Sequence, residues 1–264
     1  MLRTRLLSTI VYLPIVVGAL ALGGWWYWAL VTMVLSVGCW EYQRLMHLSG
    51  HRVWLPATLG LVWLLMADAA VPSWLLVNPG LTFFLLASLT WAMTRFNRGD
   101  ADPVGNWALG LVGGLYLGWI GAHLIRLRDL PLGLYWSVIA FGSTWLADSG
   151  AYLIGKAWGR RKMASRLSPG KTWEGYLAGV VVGTLFTGGL AALFGLGGWH
   201  GLALGFLIAC LSPIGDLGIS LLKRQAQVKD SGSLIPGHGG ALDRVDSLLV
   251  SAVIATYYVI WVVH

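Results

Sequence analysis

Residues 173–196 read WEGYLAGVVVGTLFTGGLAALFGL, with Glu174 the one charged side chain in the run. A helix of about 20 apolar residues crosses the hydrocarbon core of a bilayer, and this stretch is long enough to do so. Comparable runs lie near 6–22, 25–41, 54–71, 79–94, 107–125, 133–155, 201–222 and 242–262. They are continuous rather than alternating, which disfavours a β-barrel. The whole chain agrees: of 264 residues, 57% are hydrophobic and 11% charged, and the mean hydropathy is +0.71. A soluble domain carries about 25% charged residues. A soluble enzyme, a secreted domain and a disordered protein are therefore excluded. The 36 Gly and 16 Trp suit close helix packing and headgroup anchoring respectively.

The expected fold is an all-α polytopic integral membrane protein of about nine transmembrane helices. Placing the N-terminus in the cytoplasm and alternating leaves only Arg126 and Arg128, of 18 Lys and Arg, outside. The positive-inside rule then puts the C-terminus outside. Arg3, Arg5 and Ala19-Leu20-Ala21 imitate a cleavable signal peptide, but in a polytopic chain they read as an uncleaved first span. Cys39 and Cys210 sit in apolar stretches and read as isolated thiols, and there is no CxxC pair. The net charge of +7 is accounted for by topology and attraction to anionic lipid, and no nucleic-acid motif accompanies it. Gly110, Gly114, Gly118 and Gly175, Gly179, Gly183 form ladders at helix spacing, the pattern of close helix contact.

Charge is scarce, so its placement is informative. Six of the 11 acidic residues, Asp148, Glu174, Asp216, Asp230, Asp243 and Asp246, lie after residue 140. A carboxylate in mid-membrane costs about 2.5–3.5 kcal/mol on insertion scales and is functional by default. Residues 1–130 read as a scaffold and 131–264 as the catalytic region, with cytoplasmic loops 156–172 and 223–241. Ser212, Asp216, Ser220 and Lys223 make one polar stripe at helix spacing. Asp243 and Asp246 share a face at the start of the last span. Carboxylates near several cations suit Mg²⁺, which is held by one or two carboxylates plus substrate phosphates. Gly237-His238-Gly239-Gly240 precedes that span and can turn backbone N–H groups toward an anion.

A second cluster carries Thr144, Asp148, Tyr152 and Lys156 at helix spacing, followed by a basic loop. Pro169-Gly170-Lys171-Thr172 imitates the end of a P-loop, but Ser165 stands where the motif needs Gly, and no strand pattern precedes it. A Walker ATPase is rejected, and Lys171 reads as a phosphate-positioning residue. Glu174 either pairs with a loop cation or touches substrate.

From 220 to 246 the chain runs Ser220-Leu-Leu-Lys223-Arg224, Lys229-Asp230, Pro236-Gly-His238-Gly239-Gly240 and Asp243-Arg244-Val245-Asp246. This closely resembles the signature of the phosphatidate cytidylyltransferase (CDP-diacylglycerol synthase) family. Asp148, Tyr152, Gly155, Gly159 and Ser168-Pro169-x-Lys171-Thr172-x-Glu174-Gly175 resemble its other well-marked region. Ala241 departs from the pattern, which expects a larger aliphatic residue there. The resemblance implies transfer of the cytidylyl group of CTP to phosphatidate, giving CDP-diacylglycerol and pyrophosphate. It implies Mg²⁺ and allows K⁺ beside it. It also implies a homodimer, with an active site in a polar cavity open to the cytoplasm. The positive-inside pattern and the compact length point to a bacterial inner membrane. The implied metal ligands are Asp216 and Asp243, with Asp246 as a third. Ser220, Lys223, Arg224 and His238 complete the implied catalytic set. The implied substrate contacts are Asp148, Tyr152, Lys156, Ser168, Lys171, Thr172, Lys229, Gly239, Gly240 and Arg244.

Other functions fit less well. A transporter would carry its charges near mid-membrane rather than at predicted cytoplasmic ends. A CDP-alcohol phosphotransferase would need DGxxAR, which is absent. A CTP-dependent enzyme for another lipid phosphate or a lipid alcohol stays open.

Overall fold

A computed structural model describes residues 2–232 and 239–263 of the chain. In chain order its helices are α1 (Leu2–Leu22), α2 (Gly24–Leu48), α3 (Leu55–Ala70), α4 (Val77–Asn97), α5 (Pro103–Leu115), α6 (Gly121–Asp129) and α7 (Gly133–Trp158). Two strands follow, β1 (Lys162–Ala164) and β2 (Ser168–Thr172), and then α8 (Trp173–Leu193), α9 (Gly198–Leu211), α10 (Pro213–Gln225) and α11 (Leu242–Tyr258). A π-helical turn, Tyr116–Ile120, joins α5 to α6, and another, Val259–Val263, extends α11.

Among the described residues, four helical stretches are long and apolar enough to cross a membrane: Pro103–Asp129, Trp173–Leu193, Gly198–Gln225 and Leu242–Val263. Tyr12–Leu22 and Leu55–Ala70 are shorter apolar helices. This is an all-α membrane architecture. One detail corrects the sequence reading. The loop 156–172 contains an antiparallel hairpin in which Lys162 pairs with Thr172 and Ala164 with Ser168. Its strands are too short for alternation to be visible in the sequence.

Local chemistry explains several boundaries. Pro103 opens α5 and Asp102 caps it, accepting from the Gly105 amide at 2.9 Å, as N-terminal amides require. Thr172 caps α8 by accepting from the Gly175 amide at 3.2 Å. Pro213 opens α10 one residue after α9 ends, inside the expected span 201–222, and the helical stretch Gly198–Gln225 runs through the junction.

The chain forms two compact units, Met1–Arg126 with Leu222–Arg244, and Leu127–Leu221 with Val245–His264. In the first, α2, α3 and α5 pack around Leu35, Leu61, Leu65, Met66 and Leu117, all fully buried. The Gly110–Gly114–Gly118 ladder lies against Thr58, Leu61, Val62 and Leu65 of α3. There the Thr58 hydroxyl donates to the Gly110 carbonyl at 3.2 Å.

In the second unit α8 packs between α7 and α9. A side chain at Gly175 would meet the Ala151 carbonyl, one at Gly179 the Ala147 carbonyl, and one at Gly183 both Ala147 and Ala209. The ladder therefore brings α8 against the backbone of α7, the helix that carries Asp148. Gly155 and Gly159 of the α7 terminus lie in turn against Thr172.

A Cβ at Gly179 would stand 2.7 Å from the Ala147 carbonyl oxygen, and overpacking of this kind costs about 1–3 kcal/mol. Gly179→Leu should lower the thermal unfolding midpoint of the purified protein in micelles. Gly189→Ala on the same helix, where nothing lies within 4 Å, should leave the midpoint unchanged or raise it.

Candidate active site

In the second unit α7, β2 and α10 each deliver part of one polar cluster. Lys171 Nζ lies 2.6 Å from Asp216 Oδ2, and the Ser220 hydroxyl donates to Asp216 Oδ1 at 3.2 Å. Asp148 is exposed and within electrostatic reach of both Lys171 and Asp216. The Lys171–Asp216 pair is partly exposed, with side-chain accessibilities of 25% and 32%. Pairs of that kind contribute about 0–1 kcal/mol, so this one says more about placement than about stability.

The hairpin presenting Lys171 is clasped at its base. Glu174 accepts from the backbone amides of Arg160 (3.1 Å) and Arg161 (3.2 Å), and the Trp173 amide donates to the Arg161 carbonyl at 2.9 Å. Glu174 thus takes a third role beside the two the sequence offered: it hydrogen-bonds loop backbone. Arg160, Arg161, Lys162 and Arg166 are exposed around the hairpin. Ser168 is half-buried on β2, whereas Thr172 is buried and engaged as the α8 cap. On α7 the Lys156 ammonium lies over the Tyr152 ring, 5.8 Å from its centre. Thr144, one turn before Asp148, instead shares a 2.7 Å hydrogen bond with Ser251 of α11 and belongs to packing.

The first unit holds the second cluster. Lys223 Nζ lies 2.6 Å from Asp243 Oδ1, with side-chain accessibilities of 12% and 8%. Asp243 Oδ2 accepts from the Ser231 amide (2.9 Å), the Ser231 hydroxyl (2.9 Å) and the Gly240 amide (3.0 Å). Three of these donors crowd onto Oδ2, while Oδ1 takes only the lysine and keeps one of its two acceptor sites. Gly239 has φ +84°, the left-handed region that favours glycine. Arg224 donates to the Val228 carbonyl at 3.4 Å, and Lys229, Asp230 and Arg244 are exposed. Asp246, on the α11 segment of the second unit, accepts from the Ser247 amide at 2.7 Å. His238 lies outside the described residues.

Two residues of this network were passed over in the sequence. Glu41 of α2 is buried at 1% accessibility. It accepts from the Ser231 hydroxyl (2.9 Å), the Ala241 amide (3.0 Å) and the Leu242 amide (2.9 Å). Ser231 bridges it to Asp243. A lone Glu inside an apolar run was the available signal, the same one that singled out the later acids. Ala241, the departure from the family pattern, is buried, and its amide is one of the Glu41 donors.

Among the described residues, no three His, Cys, Asp or Glu side chains converge into a ready-made metal cage. Mg²⁺ does not need one, since it takes one or two carboxylates plus substrate phosphates. Asp216 fits: its donors are oxygens, it is part-exposed, and a second carboxylate, Asp148, is within electrostatic reach. Asp243 fits less well: it is more buried, its Oδ2 is taken by three donors, and Oδ1 is shared with Lys223.

Comparison with known proteins gives the chain a family. The sequence pattern of the cytidylyltransferase family matches residues 3–262. A phosphatidate cytidylyltransferase of Synechocystis sp. is 32% identical over 97% of this chain and 96% of its own length. One from Pseudomonas aeruginosa is 34% identical over 94% and 93%, and one from Bacillus subtilis is 33% identical over 93% and 91%. The match takes in both polar clusters and every helix between them, and the chain belongs to the cytidylyltransferase family.

Proposed function

We propose that the protein transfers the cytidylyl group of CTP to phosphatidate, forming CDP-diacylglycerol and releasing pyrophosphate. The observation that carries this reading is the pair of lysine–carboxylate contacts, Lys171–Asp216 and Lys223–Asp243, each at 2.6 Å, in a chain that matches the cytidylyltransferase family over residues 3–262. Such contacts keep cations and carboxylates compensated until a polyanion and a divalent ion arrive to take their places.

The nucleophile is a phosphate oxygen of the lipid, already anionic at neutral pH. It attacks the α-phosphorus of CTP in line, the new P–O bond forms, and the bond to pyrophosphate breaks. The main barrier is repulsion between two polyanions, and phosphoryl-type transfer is helped chiefly by positioning and charge neutralisation. Lys171 and Lys223, drawn from their carboxylates, meet phosphate oxygens. Arg224, Lys229 and Arg244 add positive potential, and Ser220 orients Asp216. Asp216, with Asp148 within electrostatic reach in the same unit, would be the best-fitting Mg²⁺ ligand of the second unit, and Asp243 is the carboxylate that the first unit would offer. Bound there, Mg²⁺ supplies charge neutralisation of the triphosphate. The resemblance adds K⁺ as a second ion.

The accompanying topology is nine spans, N-terminus inside, in a bacterial inner membrane, with the protein as a homodimer. Exposed Trp25, Trp26, Trp74, Trp199 and Trp261 near one set of helix ends, and Trp40, Trp158 and Trp173 near the other, support the span ends, because Trp is favoured at both membrane faces; the orientation rests on the Lys and Arg distribution. The basic hairpin and the 223–241 segment then face the cytoplasm, the source of CTP. Phosphatidate enters from the leaflet.

The direct test supplies CTP, phosphatidate and Mg²⁺ to purified protein in lipid–detergent micelles. CDP-diacylglycerol and pyrophosphate should form at equal rates and stop with EDTA. Release of CDP would instead identify a kinase, and intact CTP a different lipid phosphate. Asp216→Asn and Lys171→Ala should each lower kcat/KM about 100-fold or more, the scale of losing one charge-stabilising group. Glu174→Ala should mainly raise the KM for CTP, by roughly tenfold, equivalent to about 1.4 kcal/mol, because it loosens the hairpin that holds Lys171.

A further inference from the structure

Glu41 is the one acidic residue of α2, and among the described residues no cation lies within ion-pair range of it. A buried carboxylate without a counter-charge is costly unless hydrogen bonds compensate it. Among the described residues, every donor that compensates Glu41 comes from one segment: Ser231 at its start, and Ala241 and Leu242 at its end. The carboxylate therefore ties the two ends of this segment together. A neutral side chain of similar size could fill the space but could not accept from all three donors, since Gln offers one acceptor oxygen and turns an NH₂ toward the others.

The contact reaches the candidate site in one step. Ser231 Oγ lies 2.9 Å from Glu41 Oε2 and 2.9 Å from Asp243 Oδ2. The Ser231 amide donates to the same Asp243 oxygen. Gly240 also depends on Glu41, because a Cβ there would collide with both Glu41 carboxylate oxygens and the Ser231 hydroxyl. The absence of a side chain at this glycine thus makes room for a carboxylate, and its amide is spent on Asp243.

We propose that Glu41 is a positioning residue for the transfer reaction. By anchoring Ser231, Ala241 and Leu242 it holds Asp243, and with it Lys223, in the orientation from which they act on the phosphates. Glu41 itself touches no substrate. The proposal rests on the cytidylyltransferase reading, and it makes the N-terminal region more than a scaffold.

The experiment compares wild type, Glu41→Gln, Ser231→Ala and the double variant as full-length protein in micelles. It measures kcat and KM, the thermal midpoint and hydrogen exchange. Each single variant should lose about 10- to 100-fold in kcat, the range for residues that support a functional site, with KM for phosphatidate within about threefold. The double variant should be no worse than the poorer single one, since both act through the same bridge. Peptides covering 227–244 should exchange faster while those covering 162–172 stay unchanged. Multiplicative losses, unchanged kcat, or faster exchange throughout the chain with a falling midpoint would each overturn the proposal and make Glu41 a general packing residue. Should Glu41→Gln fail to fold, Ser231→Ala, which removes only a hydroxyl, decides by the same kcat and exchange criteria. Wild-type protein inactive on CTP and phosphatidate would overturn the reaction, and with it the role of Glu41 in that reaction. Local acceleration at 227–244 would then still report the anchoring by itself.

Discussion

A charged group inside a bilayer must find its compensation within the protein, because no water is there to supply it. A weaker form of that constraint acts on carboxylates buried or half-buried at helix ends, as they are here. Asp216 is matched by Lys171 and Ser220, Asp243 by Lys223 and three donors from the preceding segment, and Asp68 by Arg126 at 3.5 Å. Glu41 is satisfied without a cation, by three hydrogen bonds. Asp148 differs: it is exposed and sits beside a lysine already engaged elsewhere. A carboxylate left accessible in such a chain is available to something that is not protein.

Compensation of this kind is also a store of reactivity. Removing one partner of a buried pair leaves an uncompensated charge, at a cost of about 3–5 kcal/mol. On the proposed reading, Lys223 and Asp243 would be released together, as incoming charges replace each of them. A nucleotide triphosphate accompanied by a divalent ion brings both signs at once.

Backbone approach provides the precision. The α8 glycines put that helix directly on the α7 backbone. Thr172 then closes the junction by capping α8 and filling the space beside Gly155 and Gly159. Glu174 ties the hairpin legs to the first turn of α8. Lys171 is thus held between rigid elements rather than on a free loop, although its own strand is only five residues long.

The membrane class, the helical runs and the glycine ladders were legible in the sequence because they are local or periodic properties: apolar length, helix spacing and side-chain size. Lys171, Asp216, Lys223 and Asp243 were also legible as a set, since charge in an apolar chain is rare enough to be conspicuous. Their pairing was not. Nothing in the order of residues says that Lys171 meets Asp216 while Lys223 meets Asp243, or that Glu174 would accept backbone amides rather than meet a side chain. The hairpin was missed because three- and five-residue strands leave no readable alternation. Glu41 was missed because its partners lie some 200 residues away in the chain. Composition and spacing by themselves determined that this is a helical membrane protein with a cationic, carboxylate-bearing C-terminal region. Only the tertiary structure decided which carboxylate holds which donor, because hydrogen bonds and ion pairs form over a few ångströms of space, and closeness in space between distant residues is a property of the folded chain.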